Sequence, residues 1–360
     1  MAYYKINPLD TLFFRDGIPY NMGETQTNVE SMFPPSPTTI AGAIRARLAM
    51  SLGWTGKGEW NQSISKVIGS GSTLEKLSFD GPFVGYKNKT LFPIPKHVLG
   101  SKKEENKENK YKINTIMPER EIQSDLGKIK CPAMVADNKS KNIENSYITA
   151  ATLQKLLHDT NIDEIDTIPF DEVFKKELSV GIKRDDEKLT VKDGNLFSRI
   201  FVRMEKDSYF IMNVNCNDCE NALQNLKGII TIGGESKGAY IEEMKNEKME
   251  KPVLPEAPNE YKNNRFLIYF ATPTDIGKIN INSEIPELGN AKIIFGCIGN
   301  PIMIGGWNFK IGPEELRPYI PPGSVLFMEG NGITDIKSFN NKKIGKKTEY
   351  GFGHIFIGKW

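Results

Sequence analysis

The residues of this chain best suited to chemistry lie in Gly228-Ile-Ile-Thr-Ile-Gly-Gly-Glu-Ser-Lys-Gly-Ala-Tyr-Ile241, an apolar run that breaks into a glycine-rich loop. Gly233, Gly234 and Gly238 bracket Glu235, Ser236 and Lys237. Glycine adopts backbone angles closed to other residues and leaves its N–H uncovered, so a phosphate chain can approach while Lys237 supplies charge. The competing reading is an ordinary tight turn after a strand. A nucleotide P-loop is excluded, because Ala239 and Tyr240 stand where a lysine and a Ser/Thr must meet phosphate and Mg²⁺.

Further groups have similar chemistry. Arg15 follows Leu12-Phe-Phe14 and precedes the turn pair Asp16-Gly17; its guanidinium suits a phosphate or a stacked base, or is simply solvated. Ser36, Thr38 and Thr39 open a helix whose first N–H groups form a weak anion site, and Arg45 and Arg47 flank its apolar stripe. Lys183 and Arg184 follow Gly181. Cys216 and Cys219 form one C-x-x-C, but Cys131 and Cys297 are isolated, so buried thiols and no metal are expected. His97, His158 and His354 are the only candidates for histidine acid–base work.

These residues need elements to position them. Tyr3 to Asn7 reads as a first strand ending at Asn7-Pro8. Ser36 as N-cap, Pro37 at the first helical position and Ile40, Ile44, Leu48 and Leu52 every four residues predict a helix with one buried face. Leu77 to Tyr86 and Thr90 to Pro95 read as a hairpin around Asn88-Lys89. Ser101 to Lys110 lacks apolar residues and reads as a solvated tip, and the pattern stays irregular to about Val191 apart from a short helix near Ala150 to His158. Leu196 to Met204 and Ser208 to Val214 read as a strand pair, followed by a helix with Cys219, Ala222, Leu223 and Leu226 on one face.

Counted in order, these pieces make β-α-β-β-α-β, a ferredoxin-like unit with a large insertion after its first helix, the glycine-rich loop leaving its last strand. The fold class is therefore α+β. Its domains are 1–245 with the insertion at 97–195, a proline-bearing linker at 246–264, and a β-rich second domain at 265–360 that contains Gly305-Gly-Trp307. The last strand resembles the aromatic octamer of RNA-recognition motifs at Gly351-Phe-Gly353, with Tyr350 in place of the basic residue and His354 in place of an aromatic one.

A length of 360 residues fits two domains at ~100–200 residues each. With 47 Lys+Arg against 45 Asp+Glu the net charge is +2, so any nucleic-acid surface must be local. No apolar run reaches the ~18 residues of a membrane span, and Met1 to Pro8 has no signal-peptide pattern, so a cytoplasmic location without membrane contact is expected.

The ordered blocks Pro8-Leu-Asp-Thr-Leu-Phe-Phe-Arg-Asp-Gly17, Phe33-Pro-Pro-Ser-Pro-Thr-Thr-Ile-Ala-Gly-Ala-Ile-Arg45, Ile232-Gly-Gly-Glu-Ser-Lys-Gly238, Gly305-Gly-Trp307, Pro322-Gly-Ser-Val325 and Gly351-Phe-Gly353 resemble the Cas5-like RAMP subunit of the type III-B CRISPR effector, the Cmr complex. The resemblance implies two ferredoxin-like, RRM-like RAMP domains and a non-catalytic subunit without cofactor that binds the 5′ tag of the CRISPR RNA. Its implied partners are that RNA, the large palm-domain subunit and a backbone RAMP subunit. The implied RNA contacts are Arg15, Asp16 and Gly17; Ser36, Thr38, Thr39 and Arg45; Gly233, Gly234, Glu235, Ser236 and Lys237; and Gly306 with Trp307. Lys183 and Arg184 are added on charge. The alternatives are a metal-independent RAMP endoribonuclease and the type III-A counterpart. The Phe14-Arg-Asp-Gly17 and Gly305-Gly-Trp307 blocks favour III-B.

Overall fold

A computed structural model describes residues 2–15, 29–102, 109–125, 127–133, 139–159, 161–184, 187–188, 191–217, 220–245, 251–308, 312–330 and 332–360. The chain forms two compact units, neither of them one continuous length: Met1–Val84, Asp171–Glu250 and Met303–Pro318 make the first, and Gly85–Phe170, Lys251–Ile302 and Tyr319–Trp360 the second.

The first unit is built from β1 (Ala2–Pro8), α1 (Pro37–Ser51), β2 (Leu77–Tyr86), β3 (Phe174–Arg184), β4 (Val191–Met204), β5 (Ser208–Cys216), β6 (Gly228–Thr231) and β7 (Gly238–Glu243). Its sheet runs β2-β5-β1-β7-β6, with β1 antiparallel to both neighbours. Tyr4 and Ile6 on β1 are buried beside Phe210 and Met212 of β5 and Ile241 of β7. Helix α1 forms because Pro37 presets its first turn and Ile40, Ile44 and Leu48 recur along one side; all three are fully buried, contributing ~1.5–3 kcal/mol each. Leu52, expected on that stripe, is instead the C-cap and partly exposed.

Two pairings differ from the sequence reading. The strand beside β5 is β2, whereas β4 pairs with β3 in a separate arm, joined in parallel by Val29–Glu30. The insertion therefore falls between the second and third strands of the sheet rather than after α1. The strand beside β1 is β7, so the glycine-rich loop joins the edge strand β6 to β7 instead of leaving a final strand. The helix expected before β6 is one turn, Glu220–Leu223.

The second unit contains α2 (Ala150–His158), β8 (Arg265–Phe270), β9 (Ala291–Cys297), β10 (Val325–Glu329) and β11 (Ile355–Gly358). Its sheet runs β9-β10-β8-β11, with Glu284–Ile285 outside β9. In both units the first of the sheet's main strands lies between the third and the last in chain order, β5 and β7 in the first unit and β10 and β11 in the second, and the second strand lies on the far side of the third. That shared order is the ferredoxin-like pattern, and the protein is α+β with tandem domains of this kind. In the second unit the helices after β8 and β10 are reduced to 3-10 turns, Pro286–Leu288 and Ile336–Phe339.

Phe266, Ile268, Phe270, Leu326, Met328, Ile355 and Ile357 form one core layer with Leu288, Ile336 and Phe339. On the opposite face Phe92 packs edge-on to Tyr269 and Phe356, and His97 to Phe327. The region read as irregular holds strands at Val98–Lys102 and Lys110–Thr115 and the hairpin Met117–Ser124 with Gly127–Ala133. Their charged, partly exposed residues mask the alternation. Residues 251–264 are largely without regular structure but docked: the Asn340 amide donates to Pro255 O, and His158 Nε2 lies 2.7 Å from Glu256 O.

Candidate nucleic-acid interface

The glycine-rich loop is closed by the Ile232 N–H donating to Lys237 O, and Gly233, Glu235 and Ser236 all have positive φ, at 70°, 59° and 52°. Against it lies the segment after β1. The Gly234 N–H donates to Phe13 O at 2.8 Å, so this amide is not uncovered as the sequence reading supposed. Lys237 Nζ is 2.9 Å from Thr11 Oγ1 and 3.7 Å from Asp10 Oδ2, and it sits 4.8 Å from the centre of the Phe201 ring.

The arm supplies the third side. Leu12 and Val202 exchange backbone hydrogen bonds, tying β4 to the segment, and the Ser31 N–H donates to Ile200 O. Arg199, Phe201 and Arg203 alternate along β4 and so share a face. Arg199 Nη1 meets Glu235 Oε1 at 2.8 Å, and the Phe13 and Phe201 rings are 5.3 Å apart. Arg203 Nη1 is 3.2 Å from Asp10 Oδ1, while its Nε and Nη2 grip the two Glu177 carboxylate oxygens. The Thr11 backbone N–H, then Lys237 and Arg203, hold the Asp10 carboxyl below the ordinary carboxylate range; its hydrogen bond from Arg203 does the same for Glu177. The result is a partly exposed surface of two arginines, a lysine and Phe201, backed by the buried Phe13 ring.

Arg15 is exposed next to this surface and bridges Ser31 through its backbone; Asp16 and Gly17 lie outside the described residues. At α1 the Ser36 hydroxyl is buried and bonded to Thr38 and Thr39 hydroxyls at 3.0 and 2.9 Å, not to a backbone N–H. None of these three side chains reaches the loop among the described contacts. Arg45 is turned inward. Only 6% exposed, it donates to Ile68 O, Gly71 O and Thr73 O and stacks 5.1 Å from Trp60, so it holds the 68–73 loop. Lys183 and Arg184 end β3. Gly306 and Trp307 open the strand pair Trp307–Asn308 with Gly312–Pro313, and the Glu314 N–H donates to Gly306 O.

Sequence reasoning passed over Arg199, Phe201 and Arg203, although basic and aromatic residues at every second position of a strand are themselves the signal for a one-sided binding face. In the stretch that resembles the recognition motif, Phe352 and Phe356 are fully buried and present no ring for stacking. Cys216 is disulfide-bonded, not a buried thiol as expected; Cys219 lies outside the described residues, and Cys131 and Cys297 are free.

His97 is 1% exposed and its burial pushes the imidazole down to about 4; His354 is equally buried, with Nε2 on Asn341 Oδ1. Among the described residues no group of three or more His, Cys, Asp or Glu is arranged to hold a metal ion, and no helix is long and apolar enough to cross a membrane.

The tandem ferredoxin-like fold is that of the RAMP class. The family model of CRISPR-associated protein (Cas_Cmr3) matches residues 4–360, and the chain belongs to this family. It is a component of a type III CRISPR RNA-guided effector complex. Among solved structures it is similar to a chain of a Type III-B Cmr-beta bound to cognate target RNA, with TM-score 0.50, 15% identity and 90% of this chain covering 86% of that one. A chain of the same assembly with AMPPnP, state 1, matches at TM-score 0.49, 16% identity and the same coverages. A chain of the Csm3-Csm4 subcomplex of a type III-A interference complex matches at TM-score 0.42 and 12% identity, over 92% of this chain and 98% of that one. No curated protein matches the sequence.

Proposed function

We propose that this chain holds the 5′ tag of the CRISPR RNA and bridges the large palm-domain subunit to the RAMP backbone of a type III-B effector. The observation that carries the reading is the meeting of the Gly233–Lys237 loop with the Thr11–Arg15 segment and β4. It places cations and aromatic rings together on a protein of net charge only +2. Single-stranded RNA is gripped through phosphates and stacked bases, and this surface offers partners for both. The fold's occurrence in a Cmr-beta assembly bound to cognate target RNA fits a role against RNA.

The proposed path takes in Arg15, the loop Gly233 to Lys237, the hydroxyls of Ser36, Thr38 and Thr39, and Gly306 with Trp307. Lys183 and Arg184 meet RNA from the end of the arm. Arg45 is left out.

Ultraviolet crosslinking of the natively purified assembly, with mass spectrometry of the peptides and sequencing of the RNA, tests this. Crosslinks from the 5′ tag to peptides bearing Arg15, Gly233 to Lys237 or Trp307 are expected. Crosslinks confined to the guide portion would overturn the tag-holding role.

A further inference from the structure

Three cations of the proposed RNA surface have an anionic partner within the chain. Arg199 has Glu235, Arg203 has Asp10 and Glu177, and Lys237 has Asp10. The carboxylates come from three different places, namely the segment after β1, strand β3 and the loop itself. All are 43 to 61% exposed at the side chain, so these are pairs that water and a competing anion can reach. Exposed pairs of this kind contribute little to stability, and their positions around Phe201 need another explanation.

We infer that Asp10, Glu177 and Glu235 occupy the positions of RNA phosphates, and that Arg199, Arg203 and Lys237 form a phosphodiester subsite that exchanges these carboxylates for the incoming strand. The inference rests on the reading of this surface as the RNA site. Two oxygens of a carboxylate meet a guanidinium as two phosphate oxygens do, as the paired contact of Glu177 with Arg203 illustrates. Phe201, between Lys237 and Phe13, carries no charge and is placed to face a base once Lys237 turns to a phosphate. Such a surface discriminates against weak polyanion contacts, because each phosphate must displace an internal ion pair. It also reduces counterion release. Binding therefore depends less steeply on salt than the number of phosphate contacts implies, which for single strands is about 0.7 in the log–log slope per phosphate.

The experiment compares the full-length protein with the D10N/E177Q/E235Q variant for binding a short 5′-labelled single-stranded RNA bearing the tag, from about 50 to 200 mM salt. A control variant, D166N/E121Q/E284Q, removes three exposed carboxylates of the second unit that are likewise ion-paired, to Lys110, Lys128 and Lys292. The site variant is expected to bind more tightly, by roughly three- to five-fold per carboxylate at low salt, and its slope to steepen by up to about 2. The control is expected to stay near wild type. E235Q alone, which removes only the carboxylate charge facing Arg199, should show about one third of the change in slope, so the result does not depend on the triple variant folding well.

Unchanged affinity and slope in the site variants overturn the exchange while wild-type binding keeps the RNA-holding role. Equal tightening in the control reduces it to net charge and overturns it as well. Failure of wild type and every variant to bind the RNA overturns both readings together.

Discussion

Gly233 lies against Phe13 so closely that a Cβ on it would stand 2.5 Å from the Phe13 carbonyl oxygen. Its φ of 70° adds a second constraint, since left-handed backbone costs a residue with a side chain roughly 1–2 kcal/mol. The loop's first glycine is thus required by the protein's own backbone, whatever ligand the loop receives. Gly233→Ala is expected to lower unfolding stability by about 2–3 kcal/mol in urea denaturation. A loss below about 0.5 kcal/mol would show that this contact is not what demands glycine there.

Gly234 is different, because its φ is unexceptional and a Cβ would meet the edge of the Phe13 ring at 3.1 Å and the Phe13 carbonyl oxygen only at an ordinary 3.6 Å. Gly234→Glu adds a negative charge at the proposed RNA path. It is expected to weaken RNA binding at least about ten-fold, ~1.4 kcal/mol, while circular dichroism stays native. Native affinity in a folded variant would remove this loop from the interface.

Arg45 separates structural from functional arginine. Its three carbonyl acceptors fix residues 68–73, so Arg45→Ala leaves the buried Ile68 carbonyl and two part-buried ones without this donor and should cost about 1–3 kcal/mol. Arg45→Lys should recover little, because an ammonium cannot serve three carbonyls in the plane of a guanidinium. RNA affinity per folded molecule is expected to be unchanged in both, which a binding isotherm corrected for the folded fraction will check.

His97 makes stability depend on pH. Burial lowers its pKa from 6.5 to about 4, so the unfolded chain takes up a proton that the folded one refuses. Its contribution is fully present above 6.5 and is lost as pH falls, reaching ~3 kcal/mol near the folded value. Carboxylates titrate in the same window, so the useful quantity is the difference between wild type and His97→Leu. Denaturation midpoints should show wild type losing more stability than the variant between pH 6.5 and 4. Parallel curves would refute the role of this imidazole.

What the sequence by itself determined follows from local rules. Pro37 after Ser36 and apolar residues every four positions specify α1, alternation specifies β1, short continuous apolar runs specify β5 and β8, and the ordered blocks around Arg15, Pro37 and Gly233 carry the family. The glycine-rich loop was also legible as a place of unusual backbone. Partner choice between strands was not, because a strand's pattern records which face is buried but not which neighbour completes its hydrogen bonds. Leu196 to Met204 therefore read as a sheet strand although β2 holds that place.

The division of the arginines was decided by tertiary structure alone. Arg45, Arg199 and Arg203 are chemically identical in the sequence. Only the carbonyls of residues 68–73 make the first a core strut, and only Asp10, Glu177 and Glu235, brought together from distant positions, make the other two an exposed cluster. Side-chain chemistry supplies the capacity for an ion pair or a hydrogen bond, but long-range contacts choose the partner, and that choice fixes which arginines are buried and which stay at the surface.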